Sequence, residues 1–184
     1  MVTIDKLKSI WPYAGIPIIG TALLLMQASQ ADAFVLLWRE LIMAFGFVAA
    51  VFDLKTKRIP NSLILAMIGA WVITMVSKLF MDSDTAIVLL KDSALGFVIG
   101  GGLFLLMYII SRKGLGGGDV KFMAAAGLFM GFSGILSAML LGTILAALTG
   151  LVLIITKKIG RKDSIPLVPF LYAGILVVCF AAQF

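Results

Sequence analysis

The sequence predicts an all-α, polytopic integral membrane helix bundle with six to seven transmembrane helices. Its 184 residues are 62% hydrophobic and only 13% charged, whereas charged residues make up about 25% of a typical soluble domain. The apolar residues are grouped in runs, and a spanning helix needs about 20 of them. Short polar segments separate the runs and leave little extramembrane mass, so residues 1–184 are predicted to form a single transmembrane domain.

Seven apolar segments follow one another along the chain. Six of them are long enough to cross a bilayer: 10–28, 34–52, 62–80, 93–111, 134–156 and 166–184. The seventh, 119–132, lies between the fourth and the fifth and is short for a full crossing at about 1.5 Å per residue. A break is expected directly after it, at 132–134, because serine and glycine weaken a helix.

The basic residues predict how these segments are oriented. Connections rich in lysine and arginine (55–58, 112–121 and 157–162) alternate with connections that are not, provided that the short segment counts as a crossing. The positive-inside rule then gives seven crossings and a cytoplasmic N-terminus. Asp53 and Asp119 each lie beside a basic connection, so both are expected at the cytoplasmic face.

The composition excludes several kinds of catalytic site. The chain has no histidine, which removes Ser-His-Asp and Cys-His catalysis and the usual imidazole ligands of zinc and iron. Its one cysteine, Cys179, cannot form a disulfide framework or a multi-cysteine zinc site. We therefore expect neither a metal nor a cofactor.

The two aspartates are the strongest candidates for catalysis. An ionisable residue at a membrane boundary is costly unless it is solvated, paired or functional. Two carboxylates brought together share a proton, so that one acts as acid and the other as base, and such a pair can hydrolyse a peptide bond without a metal. Plain structural roles remain open at this point, since Asp53 can simply be solvated at a helix end and Asp119 can cap a helix.

Residues beside each aspartate are expected to shape the site. Four glycines in the segment Gly114-Leu115-Gly116-Gly117-Gly118 directly precede Asp119. They are expected to allow positive φ angles and the close approach of a substrate strand, or else a flexible turn. Pro60 and Asn61 are expected to open the next helix. Asn61 is expected to cap that helix, or alternatively to form a hydrogen bond with the Asp53 loop or with the backbone of a substrate.

The motifs resemble those of a known family, the type IV prepilin peptidases, which are membrane aspartic proteases with a Gly-x-Gly-Asp motif. The resemblance rests on Asp53, on Arg58-Ile59-Pro60-Asn61 and on Gly116-Gly117-Gly118-Asp119-Val120-Lys121. The short length of the chain resembles that of the small branch that serves Flp-type (tight-adherence) pili and lacks the methyltransferase domain, so N-methylation is not expected. Segment 165–171 is a weaker match to the proline-containing entry of the family's last helix.

The resemblance implies a function and a set of site residues. It implies an aspartic endopeptidase that removes the short basic leader of prepilins at the cytoplasmic face of the inner membrane, without a cofactor. The implied partners are a prepilin or pseudopilin precursor, the lipid bilayer and pilus or secretion assembly components, with no nucleic acid. The implied catalytic residues are Asp53 and Asp119, and the implied loop-shaping or substrate-contacting residues are Gly116, Gly118, Lys121, Pro60 and Asn61.

Two other classes of protein are alternatives. A small proton- or cation-coupled transporter would use the same two aspartates as carriers, and Gly96 and Gly100–102 would suit its close helix packing. The internal repeats that many transporters show are not evident here. A non-enzymatic assembly factor would tolerate the loss of either aspartate.

Overall fold

The computed structural model describes residues 33–111, 115–157, 160 and 165–181. In these residues every regular element is a helix, which confirms the all-α prediction. The helices are α1 (Ala33–Thr56), α2 (Asn61–Met81), α3 (Ser83–Ser111), α4 (Gly117–Ile155) and α5 (Val168–Ala181). The predicted first span, 10–28, lies outside the described residues.

Four helices, α1 to α4, are long and apolar enough to cross a membrane, and α5 is a shorter apolar helix. The chain is therefore a multi-pass membrane protein. The count of six to seven crossings stays a prediction.

α3 begins ten residues earlier than predicted because a single residue, Asp82, makes the connection from α2. Its Oδ1 accepts a hydrogen bond from the Thr85 N–H at 3.2 Å, and its Oδ2 lies 3.7 Å from the Lys78 Nζ. Hydrogen bonds from the Thr85 side chain and backbone hold the pKa of the exposed Asp82 below its ordinary value. The carboxylate thus caps the start of α3, and the helix continues through the charged residues that follow.

α4 is one helix of 39 residues with a kink at Gly131, where φ is 65°. The predicted break at 132–134 is therefore one residue too late, and the two predicted segments are halves of one element. A Cβ at Gly131 would overlap the carboxylate of Asp92 in α3. The Asp92 Oδ1 accepts a hydrogen bond from the Phe132 N–H at 3.0 Å, so it acts at the kink as a capping residue acts at a helix start.

Asp92→Ala is expected to lower the free energy of unfolding by about 1–2 kcal/mol, because it removes this cap. The measurement is thermal unfolding of the purified protein in detergent. Lys91→Ala is the matched control, since Lys91 is the exposed charged neighbour on the same helix. Equal losses for the two variants would contradict a capping role for Asp92.

The first half of α4 packs closely against α3 through glycines. A Cβ at Gly96 would overlap the carbonyl oxygen of Gly127, and a Cβ at Gly127 would overlap that of Gly96. A Cβ at Gly100 would lie 2.5 Å from the Met123 carbonyl oxygen. Small residues let two backbones approach in this way inside a membrane. The contact fixes the part of α4 that begins beside Asp119.

The second half of α4 packs against α5, which also contacts α1. A Cβ at Gly142 would lie 2.7 Å from the Leu171 Cα, and one at Gly174 would overlap the Ala138 carbonyl oxygen. On the other side, a Cβ at Gly46 of α1 would lie 2.7 Å from the Tyr172 ring. These contacts bring the start of α5 to the end of α1 that carries Asp53.

Candidate active site

Asp53 and Asp119 line one cavity of about 350 Å³. The cavity lies where the end of α1, the start of α2 and the start of α4 meet. Its lining consists of Asp53, Lys57, Arg58, Ile59, Asn61, Gly116, Gly117, Gly118, Asp119 and Lys121. Six of the seven residues predicted from the sequence are therefore together here. The seventh, Pro60, lies between two lining residues but does not line the cavity itself.

Asp53 lies in the last turn of α1 and is only 5% exposed. Its carboxylate Oδ2 accepts a hydrogen bond from the backbone N–H of Val168, the first residue of α5, at 3.0 Å. α1 ends just beyond, where Lys57 adopts a left-handed conformation with φ 50° and donates its N–H to the Asp53 carbonyl at 2.8 Å. The carboxylate is thus held by a helix more than 100 positions further along the chain.

Asp119 is half-buried and is the third residue of α4. Its Oδ2 accepts a hydrogen bond from the Gly116 N–H at 3.1 Å, while its own N–H donates to the Gly116 carbonyl at 3.1 Å. Gly116, not Asp119, is the N-cap residue, but the carboxylate reaches back to the helix start as in a capping box.

The glycines before Asp119 do not use positive φ angles. Gly116 has φ −81° and ψ 140°, an extended conformation, and Gly117 and Gly118 are already helical. The expectation of left-handed backbone is wrong for these three, because α4 starts two residues earlier than predicted. A Cβ added at Gly118 would lie 3.4 Å from Ile59, an ordinary van der Waals contact within the chain, and the close approach of a substrate strand stays a prediction.

Asn61 and Lys121 join the two halves of the cavity wall. The Lys121 Nζ donates a hydrogen bond to the Asn61 Oδ1 at 3.0 Å, linking α4 to α2. Pro60 is the N-cap residue of α2, with φ −69° and ψ 138°, and no side chain caps this helix start. The expected capping role of Asn61 is therefore wrong, since its side chain turns to Lys121 instead.

Sequence reasoning missed Val168 as a contact of Asp53. The contact is made by a backbone N–H, which leaves no residue type to recognise in the sequence. The available signal was Pro166 and Pro169, because two prolines around a helix start indicate a fixed backbone there.

Comparison with known proteins identifies the family. Residues 41–155 match the Type IV leader peptidase family. The prepilin leader peptidase/N-methyltransferase of Xanthomonas campestris pv. campestris is 30% identical over 70% of this chain and 44% of its own length. The proteins of the same name from Bacillus subtilis and Legionella pneumophila are 27% and 28% identical, over 69% and 87% of this chain and 48% and 56% of their own lengths.

The chain spans about half the length of the curated relatives it matches. No solved structure matches it. The family match covers the end of α1 that carries Asp53 and the start of α4 that carries Asp119. On this match, the chain belongs to the type IV leader peptidase family.

Proposed function

We propose that the chain is an aspartic endopeptidase that removes the short basic leader of type IV (Flp-like) prepilins at the cytoplasmic face of the inner membrane. The observation that carries the proposal is that Asp53 and Asp119, from two different helices, line one cavity. The chain has no histidine that could serve as a base in their place.

The two carboxylates would divide the work of hydrolysis. Both carboxylates line one cavity, and we propose that they share one proton there, because two neighbouring carboxylates are more stable with one proton bound than with both groups ionised. The ionised carboxylate removes a proton from a water, which attacks the scissile carbonyl carbon. The protonated carboxylate gives its proton to the amide nitrogen as the C–N bond breaks. In each residue Oδ2 is bound to a backbone N–H, so Oδ1 is the atom proposed to contact water or substrate.

The basic residues around the cavity fit a cytoplasmic site. Lys57, Arg58 and Lys121 line it, and positive residues concentrate on the cytoplasmic side of membrane proteins. They would not attract a basic leader. We propose instead that they pair with an acidic residue after the cleavage site, while the apolar helix of the precursor stays in the bilayer. The partners then are the precursor, lipid and the components that assemble a pilus or secretion system.

Nothing in the family match or in the relatives supports the transporter alternative.

Purified protein in detergent is expected to cleave a synthetic precursor made of a basic leader, a glycine and an apolar helix. Mass spectrometry of the product locates the cleaved bond, which should follow the glycine. The matched control is the same peptide with a bulky residue in place of that glycine, which should stay intact. An intact first peptide, with the protein shown to be folded, would contradict the proposal.

A further inference from the structure

We propose that the start of α5 is a positioning element of the aspartate pair, with Val168 as the positioning residue. Its backbone N–H would hold one oxygen of Asp53 in place and keep the other oxygen turned toward the cavity. The inference rests on the proposed function, which makes Asp53 a catalytic residue.

The contact is buried, and it is charge-assisted whenever Asp53 is ionised. The Val168 N–H lies 3.0 Å from the Asp53 Oδ2, Val168 is fully buried and Asp53 is 5% exposed. Hydrogen bonds to an ionised carboxylate are stronger than neutral ones, and burial strengthens them further. The donor also lies at a helix N-terminus, where the partial positive charge favours a carboxylate.

The local backbone explains why this N–H is available. The Leu167 carbonyl accepts hydrogen bonds from the N–H groups of Phe170 at 3.1 Å and Leu171 at 3.2 Å, which makes Leu167 the N-cap residue. Val168 is then the first helical residue, whose N–H has no partner within its own helix. Pro166 and Pro169 lie on either side, and each has its own φ fixed by its ring, which restricts the backbone around Val168.

The rest of α5 holds this donor rigidly. Close packing at Gly142 and Gly174 ties α5 to α4, and the Tyr172 ring lies against Gly46 of α1. α1 also carries Asp53, so donor and acceptor belong to two helices that contact each other directly. The donor therefore cannot move far from the carboxylate while these contacts persist.

Val168→Pro removes the donor, and the proline Cδ takes the place of the amide hydrogen, so the Asp53 carboxylate must also move away. The first position of a helix favours proline, because its fixed φ suits the helix and the missing N–H has no helical partner. Val168→Ala is the matched control, since it removes side-chain volume and keeps the N–H. Both variants are compared with wild type in the precursor cleavage assay.

Relative to V168A, V168P is expected to show a kcat about 10- to 100-fold lower with little change in KM. Without its donor the ionised carboxylate is less stable, so the acidic limb of the pH–kcat profile should move to higher pH in V168P and not in V168A. A merely structural role of Val168 would lower the kcat of both variants alike and leave the pH–kcat profile unchanged.

A second readout does not depend on activity. Asp53→Ala is introduced into the wild-type and V168P backgrounds, and the melting temperature of each protein is measured in detergent. The shift caused by Asp53→Ala should differ between the two backgrounds by about 5 °C, because the bond is already absent in V168P. Equal shifts would overturn the inference whether or not the chain cleaves a precursor.

The same two measurements are also made with an ester in place of the 167–168 peptide bond, which removes the N–H without adding the proline Cδ and retains the valine side chain. If wild type cleaves the precursor and the donor-free protein has the same kcat and pH profile, the proposed function stands and the positioning role is overturned. Absence of cleavage by wild type, together with a clear difference between the two melting shifts, would support the contact and contradict the proposed function.

Discussion

Asp53→Asn and Asp119→Asn are each expected to lower the rate of leader cleavage about 10⁴-fold or more. Asparagine keeps the shape of the side chain and its hydrogen-bond acceptor, so the bonds from Val168 and Gly116 can persist. It can neither bind the shared proton nor accept one from water. The chemistry is thus removed while the fold is kept.

The measurement is the cleavage rate of the synthetic precursor at several pH values. Wild type should give a bell-shaped pH profile, because activity needs one ionised and one protonated carboxylate. The double variant should be no slower than either single variant, since the pair acts as a unit. Asp92→Asn is the control, because Asp92 lies at the kink of α4 and not at the cavity. Full activity of either active-site variant would rule out the shared-proton mechanism.

Gly96→Ala is expected to destabilise the protein by about 3 kcal/mol, the upper part of the range for overpacking. The added Cβ would overlap the Gly127 carbonyl oxygen, a backbone atom that cannot move without separating α3 from α4. Because α4 carries Asp119 at its start, the same separation should also lower the cleavage rate.

Gly102→Ala is the control on the same helix. A Cβ at Gly102 would have no atom of the described residues within 4 Å, so only helix propensity changes and the free energy of unfolding should rise by up to about 1 kcal/mol. Thermal unfolding in detergent measures both variants. The free energy of unfolding is expected to fall in Gly96→Ala and to rise in Gly102→Ala. A fall of similar size in Gly102→Ala would contradict the close contact at Gly96.

Much of the fold was predictable because lipid imposes a simple pattern on the sequence. The apolar runs gave α1 and α2 to within a few residues. The predicted start of α3 and the predicted break in α4 differ from the observed positions for one reason. At both places a carboxylate caps the backbone, and the hydrophobic pattern carries no sign of such a cap. Asp82 does so locally, whereas Asp92 reaches a residue 40 positions away.

The candidate site was predictable to the extent that its residues carry recognisable chemistry. Asp53 and Asp119 stood out as boundary charges, and both line the cavity. The partner of Asn61 was not predictable, since an amide at a helix start suits a cap as well as it suits Lys121. The Val168 donor was hidden for a different reason, because every residue except proline has the same N–H.

The bend in α4 has a mechanical consequence. From Gly131 to Asp119 the helix runs about 18 Å, and this stretch lies against α3 while the stretch beyond the bend lies against α5. The first stretch therefore carries Asp119 at its far end. The second stretch packs against α5, the helix whose first residue contacts Asp53. A change of 10° in the bend at Gly131 would move Asp119 by roughly 3 Å, the length of a hydrogen bond, so the close packing of this stretch against α3 also limits how far Asp119 can shift relative to Asp53.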